Sequence, residues 1–159
     1  MNKCIIAISG ATKSKTMFQE VVENMELKIR GADCSQELQN IIWQLGWDYG
    51  QKDETYYMFY NELFKAANFS FDFKNKYIAR TIRDFEEDED NQILAMKGSD
   101  ELSGELKKEF GIVTIYIARN NDEYVDNLPK YDKVILIDDN FKQNVEKTIN
   151  ILLKENVKV

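Results

Sequence analysis

The chain contains no histidine among its 159 residues, one proline and two cysteines. The missing imidazole excludes histidine-ligated zinc, Ser–His and Cys–His nucleophile pairs, and proton transfer by a group that titrates near neutrality. Any chemistry must fall to carboxylates, lysine, arginine, backbone amides or a bound ion. Cys4 and Cys34 have no further ligand residues at metal-binding spacing around them, so two reduced thiols are expected. Basic charge is also short. Lys and Arg number 21 against 28 Asp and Glu, a net charge of −7, which is the wrong sign for a general nucleic-acid binder; a local cluster can still hold a small anion. No apolar run approaches the ~20 residues that a bilayer crossing needs. The opening MNKCIIAISG has neither the long apolar region nor the cleavage site of a secretory leader. The expectation is a cytoplasmic protein with no nucleic-acid or membrane partner.

What is present alternates. Lys3 to Ser9 is a short apolar run without polar alternation, the mark of a strand buried on both faces. Thr16 to Asn24 reads as a helix with Met17, Phe18, Val21 and Val22 on its apolar side, and Leu27 to Ala32 as a second strand. Three helical stretches follow: Ser35 to Gly46, one opening at Asp53, and Lys74 to Glu87. Glu86 to Asp90 reads as a solvated helix end and loop rather than an ion site. Then come a strand (Gln92 to Met96), a helix (Asp100 to Phe110), a strand (Ile112 to Ala118), a strand (Val134 to Ile137) and a helix (Phe141 to Lys154). This order predicts an α/β fold with a mostly parallel five-stranded sheet, a single domain over 1–159 with a helical insertion at about 35–90.

The first strand-to-helix turn carries the chemistry. Ile5 to Thr16 reads IIAISGATKSKT: a strand, Gly10, a short loop, then Lys15-Thr16 opening a helix. A phosphate-binding loop needs that layout. Glycine lets the backbone turn so that amides point inward, the helix start adds partial positive charge, lysine reaches the phosphates and the adjacent hydroxyl holds Mg²⁺. Gly10, Lys15 and Thr16 match G-x-x-x-x-G-K-[ST]; Ser14 stands where the second glycine belongs, and the loop is one residue short. The other reading is a plain turn with two exposed lysines.

Further segments in the same order carry a resemblance. Ser9 to Thr16, Ile29-Arg-Gly-Ala32-Asp33, Leu45-Gly46-Trp-Asp48-Tyr-Gly50, Ile112 to Arg119, and Asn127 to Ile135 followed by Asp138-Asp139 together resemble the phage-type deoxynucleoside monophosphate kinases. The resemblance implies a three-layer P-loop kinase-like fold with a helical acceptor and lid region. It implies transfer of the ATP γ-phosphoryl group to a (deoxy)nucleoside monophosphate, with ATP and Mg²⁺ as cofactors. Gly10, Ser14, Lys15 and Thr16 would hold the nucleotide, Thr16 the metal, and Lys15, Asp33 and Arg119 would serve catalysis. The chain departs from that family where phosphate is handled: Met96 and Gly98 replace an Asp-x-Arg pair, and Gln51 replaces an arginine. The alternative is a catalytically degenerate relative acting as a nucleotide-binding or protein-interaction module.

The remaining candidates each have two readings. Asp33, at the end of the second strand, would bind acceptor or a metal-bound water, or cap the next helix. Lys76, Arg80 and Arg83 share a helix face and would meet acceptor phosphate, or pair with Glu86, Glu87 and neighbouring acids. Trp43, Trp47, Tyr56, Tyr57 and Tyr60 would stack a base, or pack as core or as the interface of a homodimer.

Overall fold

β1 (Cys4–Gly10) is the strand on which the rest is built, and all of it except Gly10 is buried. The structure, a computed structural model, describes residues 2–44, 53–97 and 104–155. After β1 come α1 (Ser14–Asn24), β2 (Ile29–Ala32), α2 (Cys34–Gln44), α3 (Glu54–Phe71), α4 (Phe73–Glu87), β3 (Ile93–Lys97), α5 (Gly104–Phe110), β4 (Val113–Ala118), α6 (Asn121–Asn127), β5 (Lys133–Leu136) and α7 (Phe141–Glu155). The fold is α/β, with a five-stranded sheet in the order β2-β3-β1-β4-β5 whose pairings are all parallel. Parallel neighbours require crossovers, and the helices supply them.

Side chains alternate across the pleat, and both faces of the middle strands are buried. Cys4, Ile6 and Ile8 of β1 join Ile93 and Ala95 of β3, Ile115 and Ile117 of β4, and Ile135 of β5. Phe18 and Val22 of α1 and Val145, Ile149 and Leu152 of α7 complete this cluster. On the opposite face Ile5, Ala7, Leu94 and Met96 are buried as well. Each fully buried aliphatic side chain of this kind contributes about 1.5–3 kcal/mol. The double burial explains why the strands read as unbroken apolar runs, and it is consistent with three layers.

Contacts divide the chain into two compact units: Met1–Ala32 with Ile82–Val159, which contains the sheet, and Asp33–Thr81. Within the second unit, Leu38 and Ile42 of α2 and Tyr56 of α3 are buried, and the Tyr56 hydroxyl donates to Gln39 Oε1 at 3.2 Å. Asp53 accepts the Tyr56 amide at 2.9 Å, the N-cap bond expected where the sequence starts that helix. Among the described residues no helix is long and apolar enough to cross a membrane.

The acidic stretch after α4 is a loop organised by Asp88. Its carboxylate accepts the amides of Asp90 and Asn91 and the Asn91 side-chain amide. The Asn91 and Asp90 donors hold that carboxyl below its ordinary value against the opposing effect of desolvation. Lys3 donates to the carbonyls of Phe85 and Asp88, placing a cation at the C-terminal end of α4 where the helix dipole favours one. Among the described residues no group of three Asp, Glu or Cys side chains is arranged to hold a metal ion.

Two elements differ from the expectation. α1 begins at Ser14, two residues early, because Lys13 takes a left-handed conformation (φ 62°) and turns the chain straight into the helix. α6 has no counterpart in the apolar pattern. Its start is set by Asn120, whose side chain accepts the Glu123 amide. Of the helix expected at Asp100 to Phe110, the first part lies outside the described residues.

Asp132 straps the N-terminal edge of the sheet. Its carboxylate accepts the Thr114 amide (2.9 Å), the Thr114 hydroxyl (3.1 Å) and the Lys107 ammonium (3.0 Å), joining β4, α5 and the approach to β5. Burial works to raise this carboxyl, but the Thr114 and Lys107 donors outweigh it and hold the group below its ordinary value. Asp132→Ala leaves the buried Thr114 amide without its acceptor and is expected to cost about 1–3 kcal/mol in urea unfolding. Because the folded carboxyl is the more acidic, the strap stabilises above the unfolded value of 3.8 and is lost as pH falls through the folded one. The Cys4 thiol is pushed up from 9.0 to about 12 by burial. A thiol reagent at pH 8 is expected to modify Cys4 only as fast as the chain unfolds; prompt labelling of the native protein would contradict its placement in the core.

Candidate functional site

The crossovers diverge at β1. The chain passes from β1 to β2 and then to β3 on one side, and later to β4 and β5 on the other. The C-terminal end of β1 is therefore a topological switch point, the place where open α/β sheets leave a crevice for a ligand. The residues at that point are Gly10 and the three-residue loop Ala11, Thr12 and Lys13.

Gly10 is required there. Its φ is +115°, and a Cβ would lie 2.2 Å from the Ile117 carbonyl oxygen on β4. The same oxygen accepts the Ala11 amide at 3.0 Å, and the Ser14 amide returns to the Ala11 carbonyl at 3.0 Å. Two of the turn's amides thus bond within the chain. The amides of Thr12, Lys13 and Thr16 have no backbone acceptor among the described residues. The start of α1 has no side-chain cap and no acid in its first turn, so its partial positive charge is left uncompensated. Lys13 in the left-handed region followed by a helical residue is the kind of local bend in which successive amides form an anion-binding concavity.

The expected site residues are not all brought to this turn. Thr12, Lys13 and Thr16 are exposed, Lys15 is half-buried and Ser14 is turned inward and buried. The Lys15 ammonium reaches toward β2, 3.2 Å from where a Cβ on Gly31 would stand. Arg119 follows β4 directly but is engaged by Glu123. The guanidinium donates to both carboxylate oxygens, at 2.8–3.2 Å, and the Arg119 amide donates to Glu123 at 2.8 Å. These bonds raise Arg119 above and hold Glu123 below their ordinary values. Asp33 occupies the N-cap position of α2, its carbonyl accepting the Glu37 amide at 3.3 Å.

Lys76, Arg80 and Arg83 are exposed along α4, and none of them makes an ion pair among the described residues. Of the aromatic group, Tyr56 is buried as core, Tyr57 is half-exposed and edge-on to it at 5.4 Å, and Trp47 lies outside the described residues. Gln51 and Gly98 lie outside them too. Met96 is buried in β3, paired with Ala7 and Ala32.

The donor set does not fit a magnesium site of the implied kind. Thr16 offers one hydroxyl, and the β3 position where the resemblance places a carboxylate carries the buried thioether of Met96. A phosphate fits better, since it needs only amides, a helix start and a cation.

Sequence reasoning missed two residues here. Glu123 was signalled by the Asn120-x-x-Glu123 spacing of a helix start. Gly31 had no local signal, because its part is played against α1. Replacing Gly10 by alanine is expected to destabilise by about 2–4 kcal/mol, read by urea unfolding, because it combines an unfavourable φ with a backbone clash. No protein-family model matches the chain, and no curated protein matches it.

Proposed function

We propose that this chain is a P-loop kinase-like domain that holds the phosphates of a nucleotide at the Gly10–Thr16 turn and no longer transfers a phosphoryl group efficiently. The observation that carries this reading is the placement of an uncapped helix start, preceded by a left-handed residue, at the switch point of a parallel sheet. Lys15 and Thr16 in the first turn of α1 supply the cation and hydroxyl that a nucleotide phosphate would meet.

The weak side of the arrangement is transfer itself. Phosphoryl transfer depends on positioning and on neutralising charge that builds up in flight. Met96 stands in place of the metal-assisting carboxylate, and Arg119 is bound up with Glu123. A transfer arginine alone is worth about 10³–10⁵ in rate. The resulting protein is a nucleotide-binding module, and the half-exposed aromatic face of α3 leaves room for a protein partner or a second copy. An active (deoxy)nucleoside monophosphate kinase using ATP and Mg²⁺ is the second reading, favoured by the preserved Gly10, Lys15 and Thr16. In it, Asp33 and the cations Lys76, Arg80 and Arg83 would attend the acceptor.

A thermal-shift panel of ATP, ADP and deoxynucleoside monophosphates, with and without Mg²⁺, separates these readings when paired with a product assay. We expect millimolar ATP to raise the melting temperature by about 3–8 °C, with little added by Mg²⁺. Lys15→Ala should remove the shift, and phosphorylated product should not accumulate. Turnover that vanishes in Lys15→Ala establishes the kinase instead. No shift with any nucleotide sinks both.

A further inference from the structure

Arg119 leaves β4 at the C-terminal end of the sheet, and its main chain fixes where its partner Glu123 lies. The Ala118 carbonyl accepts the Ile137 amide at 2.9 Å, on the side of β4 that faces β5. The peptide joining Ala118 to Arg119 is trans, so the Arg119 amide points the opposite way, toward β1. Glu123 Oε2 accepts that amide at 2.8 Å. The Ile117 carbonyl, which accepts the Ala11 amide, faces the same side one step earlier along β4. The Glu123 carboxylate therefore stands on the first-turn side of β4, next above the bond that fastens Ala11. It draws the guanidinium to the same place, where Nε donates at 3.1 and 3.2 Å and Nη2 at 2.8 Å. One internal carboxylate takes three donors of a single arginine.

We propose that Glu123 is an internal competitor for the anion of the first turn, its carboxylate holding the Arg119 donors that a phosphate bound beside them would otherwise meet. The proposal rests on the reading that the turn takes phosphate, and it adds a regulation of that site. A carboxylate and a phosphate offer the same kind of charged oxygen to a guanidinium fork, so the fork serves one of them at a time. Two such anions side by side also repel each other. Phosphate gains Arg119 only when Glu123 swings aside. The helix does not need this carboxylate to begin: Asn120 Oδ1 accepts the Glu123 amide at 2.9 Å, a bond that survives loss of the side-chain charge. Nor does Arg119 need it for solvation, since its side chain is 66% exposed. Glu123→Gln therefore removes the competing charge and leaves the start of α6 in place.

The test uses the full chain and two readouts. The first needs no ligand: labelling of arginine by phenylglyoxal, with Arg119 scored by mass spectrometry against the exposed Arg83. Glu123→Gln is expected to raise the relative labelling of Arg119. The second is calorimetric titration with inorganic pyrophosphate. There Glu123→Gln should tighten binding by about three- to fivefold, the scale of one exposed ion pair. Asp122→Asn, which removes the same charge from the adjacent exposed residue, should leave the affinity unchanged. In an Arg119→Ala background Glu123→Gln should bring no gain. Unchanged labelling overturns the hold on Arg119, whatever the anion does. Pyrophosphate that binds the native chain and Glu123→Gln equally overturns the competition and leaves the phosphate reading of the turn intact. A gain matched by Asp122→Asn, or kept without Arg119, also overturns it, because charge alone then accounts for the effect. If labelling rises and pyrophosphate binds to no variant, it is the phosphate reading of the turn that fails, and the competition falls with it.

Discussion

The Ile117 carbonyl is the point to which the end of β1 is fastened. It receives the Ala11 amide, and it lies so near Gly10 that no side chain can intervene. That contact stops β1 at a defined height beside β4 and leaves three residues to reach the helix. Three residues suffice only because Lys13 reverses the chain in a left-handed conformation, which starts α1 at Ser14. The start of α1 in turn fixes the direction in which Lys15 leaves the helix. A loop one residue longer would move that origin, and with it the cation.

Much of the scaffold was legible because it follows from burial. β1, β3 and β4 are covered on both faces, so their residues form apolar runs that need no alternation to be recognised. α7 declares itself by Phe141, Val145, Ile149 and Leu152 at helical spacing. α6 was hidden because it buries nothing: Val125 and Leu128 are exposed, so the only trace of the helix is its polar cap. The candidate site was legible as a list of residue types and not as an arrangement. The engagement of Arg119 depends on the unforeseen α6, and the nearness of the Lys15 ammonium to Gly31, a residue distant in sequence, arises only where α1 lies against β2.

The polar groups sort by the ends of the sheet. Lys3, Asp88, Thr114 and Asp132 tie helix ends and strand entries together at the N-terminal edge. At the C-terminal edge, near Gly10, the amides of Thr12, Lys13 and Thr16 have no backbone acceptor among the described residues, and α1 starts without a side-chain cap. The bonds of the N-terminal edge thus hold the sheet that positions the Gly10 turn.

The outer strands of the sheet, β2 and β5, are four residues each. Strands this short, carrying Arg30 and Gly31 on one side and Lys133 on the other, offer an incoming chain few ladder bonds and a charged or side-chain-free rail to dock on. Extension of the sheet from molecule to molecule is therefore discouraged at both borders. The large exposed apolar side chains Tyr57, Met58 and Phe59 lie instead on a helix, α3.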